Sequence, residues 1–397
     1  MKLNQIFFLP VNLKIASIML SLILLFFSCT QPADSGDSEV NNLSESIVKP
    51  ENNLANGFSI QKSEKYTILD VYNPWQGAEE LNFRYILAKD KKLIPKRLIE
   101  NANFIKLPVK RIVCTSTTHI AFLESIDKDN TIVGISGSDL IYNERIRRKI
   151  ASGEIRDIGY GRELNYETLI SLRPDLIFLY GVESEMTGFI QKMNELNISV
   201  VMNGEYLEEE PLGKYEWIKF MSSFFGLEER AKILYDSVAN EYRKLQEKVS
   251  TLSYNPVVMT GLPWKDVWYI SPGNTSMANY IEHAGATYLW NNLNSQRAIP
   301  MDLEAVYINS ANAEYWINPG ATNKLSDILN IDSRFKNFQP FQKGKVFNNN
   351  ARLNEQGGND YWESGIVHPD IVLKDLIRIF HPEILPDHEL VYYKEIL

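Results

Sequence analysis

The chain has 397 residues, 44% hydrophobic and 23% charged, a globular composition with room for two lobes and a tail. A formal net charge of -9 excludes the basic face that a nucleic-acid partner needs to displace condensed counterions, so no nucleic-acid partner is expected. Aromatic residues, 11% of the chain, suit either a ligand cleft or ordinary cores.

Lys2 and Lys14 precede an apolar run from Ile15 to Phe27, a charged start and short hydrophobic region that read as a secretory signal over residues 1–29. The run is too short for a comfortable membrane span. Residues 30–56 are rich in Ser, Asp, Glu and Asn and predict a solvated, disordered tether. Two β-rich runs, Tyr66 to Tyr72 and Leu81 to Leu87, flank Asn73-Pro74-Trp75-Gln76-Gly77, whose Pro and Gly favour a turn. They predict an antiparallel β extension over 57–105. Trp75 in that turn either meets a ligand or, as turn tryptophans more often do, folds onto its own sheet.

From Arg111 onward short apolar strands alternate with helical segments, which predicts a mostly parallel sheet flanked by helices in a first lobe over 106–225. Ligands of such sheets sit beyond the carboxyl ends of the strands. That places Thr115 to His119, Ser136 to Tyr142, Tyr160 to Arg162 and Tyr180 to Glu183 on one rim, with Tyr142, Tyr160, Arg162 and Tyr180 as ligand candidates. Cys114, inside an apolar strand, reads as a small buried hydrophobe.

After Gly226, apolar residues recur at three- and four-residue spacing through Ala231, Leu234, Val238, Tyr242, Leu245 and Val249. They predict a long interlobe helix over 226–253 that spans roughly 37 Å and limits how far the lobes swing. A second lobe over 254–397 follows, with Trp264, Arg297, Asn318, Arg352, Tyr361 and Trp362 toward the cleft.

One layout occurs twice. Glu167 opens an amphipathic helix followed by Asp175 and the strand Leu176 to Leu179, and Glu304 opens a helix followed by Asn312 and Tyr315-Trp316-Ile317. Each glutamate alone also fits a first-turn acid favoured by the helix dipole. As a pair they mark matching places in two similar lobes.

Enzyme motifs are near misses. Gly134-Ile135-Ser136-Gly137-Ser138 lacks the last glycine of a nucleophile elbow, and Gly159-Tyr160-Gly161 lacks the third glycine of a dinucleotide loop. The five histidines are dispersed, so no metal site and no cofactor are expected. His119 alone stands on the expected rim, either capping or packing at the start of its helix or, in an enzyme reading, serving as a base beside a carboxylate. The expected protein is a binder, not an enzyme: arginines pair with carboxylate or catecholate-like oxygens, and Trp and Tyr present flat faces. Arg162 and Arg297 also fit surface ion pairs, and Tyr160, Trp264 and Trp362 also fit the core.

The chain resembles the periplasmic substrate-binding proteins of ATP-binding-cassette importers for ferric siderophores, haem and cobalamin. The likeness runs from about Lys110 to His381. It rests on Arg111-Ile112-Val113, Thr117-Thr118-His119-Ile120-Ala121-Phe122, Val133-Gly134-Ile135-Ser136, Asn165-Tyr166-Glu167 to Arg173-Pro174-Asp175-Leu176-Ile177, and His368-Pro369-Asp370-Ile371-Val372-Leu373-Lys374-Asp375-Leu376. It implies an α/β fold of two lobes joined by one rigid helix, a ferric chelate or a corrinoid as ligand, and a permease dimer with its ATPase as partner. It also implies that Glu167 and Glu304 dock on the two permease subunits. His119 stands where cobalamin-binding relatives carry glutamate, and the β extension has no counterpart in the minimal pattern. Phe26-Phe27-Ser28-Cys29 resembles the lipobox of bacterial lipoproteins, although Phe27 is bulkier than the usual residue; it implies a lipid on Cys29 that anchors the body to an envelope membrane. An adhesion or scaffold module on the same fold is the remaining alternative.

Overall fold

The computed structural model describes residues 54–100, 102–181 and 186–397. The signal, Cys29 and nearly all of the expected tether lie outside these residues, as does Glu183.

The described chain opens with a four-stranded sheet in the order β1-β2-β3-β4: β1 (Phe58–Lys62), β2 (Thr67–Tyr72), β3 (Asn82–Ala88) and β4 (Asn103–Lys106). The first three strands are antiparallel, with Thr67 opposite Leu87, and β4 runs parallel to β3. This is the antiparallel extension expected from the two β-rich runs, widened by one strand on each edge. Its start is tied into the body by two buried carboxylates. Glu216 accepts the backbone N–H groups of Leu54 and Ala55 at 3.0 and 2.9 Å, and Glu208 accepts those of Asn56 and Gly57 at 2.9 and 2.8 Å. Glu208 also takes the indole N–H of Trp217 at 3.0 Å, and the Phe58 ring lies 4.8 Å from that indole. Such bonds offset much of the cost of burying a carboxylate.

The first lobe holds a parallel sheet in the order β7-β6-β5-β8-β9: β5 (Ile112–Cys114), β6 (Ile132–Ile135), β7 (Arg156–Asp157), β8 (Leu176–Leu179) and β9 (Ser199–Met202). Ile112 to Cys114 and Leu176 to Leu179 are buried without alternation, as strands covered on both faces require. Asp175, just before β8, accepts the backbone N–H groups of Lys110 and Arg111 at 2.7 and 2.9 Å and so fixes the entry to β5.

The second lobe repeats the plan in the order β12-β10-β14-β15-β16: β10 (Val257–Thr260), β12 (Thr287–Tyr288), β14 (Tyr315–Ile317), β15 (Val346–Asn348) and β16 (Lys394–Glu395). All pairs are parallel except the edge strand β16. A separate antiparallel ribbon, β11 (Val267–Ile270) with β13 (Ile299–Asp302), stands beside this sheet.

The helix Glu228–Ser250 joins the two sheets, and its 23 residues span about 34 Å. Its buried stripe of Ala231, Tyr235, Ala239, Tyr242, Leu245 and Val249 packs against the helices Pro211–Ser223 and Pro369–Phe380. In Pro211–Ser223 every residue but Lys214 is buried. That exception points to the site.

Candidate functional site

A cavity of about 770 Å³ opens where the β2–β3 turn, the start of the Pro211–Ser223 helix and the second lobe meet. The first lobe contributes Thr118, Glu205, Tyr206 and Lys214; the second contributes Met277, Tyr280, Arg297, Tyr361 and Trp362; the turn adds Tyr72 and Trp75. Aromatic rings therefore stand on every side, with a few charges among them, the usual make-up of a small-molecule site.

The charges are unequally matched. Glu205 is 1% exposed; one of its carboxylate oxygens accepts the Thr118 hydroxyl at 2.6 Å, and the other finds no partner. Burial lifts its pKa to about 7, an effect the Thr118 bond only partly offsets. Lys214 follows at the second turn, and among the described residues its ammonium makes no hydrogen bond or ion pair. Burial lowers its pKa, against the attraction of Glu205 and Glu208. The exposed Arg297 guanidinium lies at the rim beside Gly77 and is likewise unpaired among the described residues. The cavity thus offers cations to ligand oxygens and one buried acceptor to a ligand donor.

Two seams close the cleft. Glu363 of the second lobe, 2% exposed, accepts the backbone N–H groups of Tyr142 and Asn143 at 2.7 and 3.0 Å, immediately before the first-lobe helix Glu144–Ala151. Burial lifts its pKa to about 7 despite these two bonds. At the other seam Glu209 binds the side chains of Asn274 and Asn279, both at 2.9 Å.

The expected site residues divide. Arg297 and Trp362 line the cavity, and Trp362 is 61% exposed. Tyr180 stands one layer back, its ring edge-on to the cavity residue Tyr206 at 5.0 Å. Tyr142 and Arg352 belong to the seam beside Glu363: the guanidinium lies 5.3 Å from the Tyr142 ring and pairs with Asp360 at 2.7 Å. Tyr160 is exposed on the first lobe, and Trp264 is exposed on the second with the Lys265 ammonium 4.4 Å from its ring; neither lines the cavity. Arg162 lies in the single turn Gly161–Glu163, and its side chain falls outside the described residues.

His119 requires a correction. It is fully buried against Phe178, with 5.9 Å between rings, and neither nitrogen has a partner. The helix Thr117–Ser125 places Thr118 toward the cavity, and one residue further round, about 100°, His119 turns into the core. Burial drives its pKa down to about 3. Among the described residues no carboxylate pairs with it, so the hydrolase reading loses its base.

Glu167 and Glu304 are exposed in the first turns of matching helices, Tyr166–Ser171 and Leu303–Asn309. Glu304 accepts the Arg334 guanidinium at 3.3 Å, and Arg334 is itself held by Asp332 at 2.7 Å. Glu205, Lys214 and Glu363 escaped the sequence reading. Their one visible signal is the acid-rich stretch Glu205 to Glu210 running into a helix whose apolar residues are interrupted by Lys214, Glu216 and Lys219.

Comparison with known proteins agrees with this layout. An uncharacterized lipoprotein of Methanocaldococcus jannaschii is 25% identical, with 94% of this chain and 93% of its own covered. The haem-binding protein RhuT of Roseiflexus sp. RS-1 superposes with a TM-score of 0.55 at 17% identity, covering 70% of this chain and 99% of that one. The molybdate-binding protein MolA of Haemophilus influenzae does so with a TM-score of 0.54 at 18% identity, covering 72% and 90%. The sequence pattern of the periplasmic binding protein family matches residues 112–350. Two parallel-sheet lobes on one helical strut, with a cavity between them, are thus the architecture of a chain that belongs to the periplasmic binding protein family.

Proposed function

We propose that the protein captures a metal chelate of the ferric-siderophore type in its interlobe cavity and hands it to an ATP-binding-cassette permease. Glu167 and Glu304 dock on the two permease subunits, and a lipid on Cys29 holds the body at the envelope membrane. The protein binds its ligand and does not transform it.

The observation that carries this reading is the cavity of about 770 Å³ between two lobes, ringed by aromatic side chains and holding the unpaired Lys214 and Arg297. Two cations unpaired among the described residues fit the oxygen-rich rim of a chelate, and the rings fit its apolar body. Tryptophans at the cavity make intrinsic fluorescence the natural readout. Titration with ferric siderophores, haemin and cobalamin is expected to give saturable quenching by a ferric chelate. Tighter binding of cobalamin reassigns the ligand to a corrinoid, and no response to any of them overturns the proposal.

A further inference from the structure

We propose, resting on the reading just given, that the turn between β2 and β3 forms a third wall of the ligand site. It selects chelates that present a flat, conjugated face. The turn stands outside the two lobes and outside residues 112–350 that match the family, yet Tyr72, Trp75, Gln76 and Glu79 all line the cavity.

The turn spans the cleft from one lobe to the other. At its first-lobe end the backbone of Pro74 packs on Gly204, where an added Cβ would sit 3.5 Å from the Pro74 Cα and carbonyl oxygen. At its second-lobe end Gly77, with a φ of +81°, lies so near Arg297 that an added Cβ would meet the guanidinium at 3.3 Å. A side chain at Gly77 would be strained by its backbone and would have to displace the exposed guanidinium.

The wall is also stiff. The Asn73 N–H donates to the Leu81 carbonyl at 2.8 Å and the Ala78 N–H to that of Trp75 at 3.0 Å, which closes the turn on itself. Trp75 is 6% exposed and its ring stands 6.1 Å from that of Phe83. The half-buried Tyr72 ring and the small part of Trp75 that reaches the cavity form a preformed aromatic edge, which costs little ordering when a flat ligand meets it. The turn brings no cation. Anionic oxygens of the same ligand are left to Lys214 in the cavity and to Arg297 at the rim beside the turn.

The test titrates the full chain with haemin, a ferric tricatecholate and ferrioxamine B, whose aliphatic body has no flat conjugated face. The wild type is expected to favour haemin or the tricatecholate. Trp75→Ala is expected to raise the Kd for that probe at least tenfold. Gln76→Arg, at an exposed position, is expected to shift it at least fivefold with an unchanged circular dichroism spectrum, and it decides the matter should Trp75→Ala fail to fold. A wild type that binds a probe while the folded variants bind it equally well overturns the third wall and leaves the binding reading intact. A preference for ferrioxamine B overturns the flat-face assignment, and binding of none of the three removes both the inference and the reading on which it rests.

Discussion

Lys214 and His119 show how little separates a site residue from a core residue. Both lie in the first turn or so of a helix that begins near the cavity, yet one ammonium faces open volume and the other ring is sealed behind Phe178. Lys214→Met is expected to weaken ligand binding about ten- to a hundredfold, the worth of one charge-assisted hydrogen bond of about 1.5–3 kcal/mol, while the melting temperature barely moves. Isothermal titration beside a thermal melt separates the two effects. His119→Phe has the opposite signature: ligand affinity stays put, and stability at acid pH improves. The sign follows from the depressed pKa. The folded state keeps the ring neutral down to about pH 3 while the unfolded chain protonates near 6.5. The stability present above 6.5 is therefore lost as pH falls through that window, and the phenyl ring removes the loss. Urea titrations at pH 4 and pH 7 read the difference.

Between the elements, the seam made by Glu363 and the Glu144–Ala151 helix titrates the other way. The carboxyl pKa stands at about 7 against an ordinary 4.5, so the folded state holds a proton that the unfolded state has released. Stability is full below 4.5 and declines by about 3 kcal/mol as pH rises to 7. Glu363→Gln, which keeps one acceptor for the Tyr142 and Asn143 N–H groups, is expected to flatten that decline in melts taken between pH 4.5 and 7.5. The elements themselves were mostly legible. β-rich runs around a Pro-Gly turn announced the hairpin, and apolar spacing from Ala231 to Val249 announced the strut. Their meeting places were not. Strand polarity correctly gave the rim on which Thr118 stands, but which neighbour faces the ligand depends on packing. The roles of Glu205 and Lys214 depend on a turn more than 100 residues earlier and on loops from the other lobe. Local patterns carry no such distance information, which is why Trp75 was legible as a tryptophan folded onto its own sheet but not as a cavity neighbour, and Glu363 as nothing at all.

For the molecule as a whole, the two lobes share one plan and one strut, and each carries an exposed acid at the start of a corresponding helix. Charge reversal of both, Glu167→Lys with Glu304→Lys, is expected to abolish uptake in cells while the purified protein retains its ligand affinity. Undiminished uptake removes the docking role. The Glu304–Arg334 pair does not weaken this expectation, because an ion pair so open to solvent is screened and readily exchanged for another partner.

One arrangement at the start of the described chain has mechanical weight. Glu208 and Glu216 clasp four successive amides, from Leu54 to Gly57, and two of those residues, Asn56 and Gly57, border the cavity. The described chain therefore enters the body beside the binding chamber and not at a remote corner, so any pull on Leu54 would be borne by these two carboxylates.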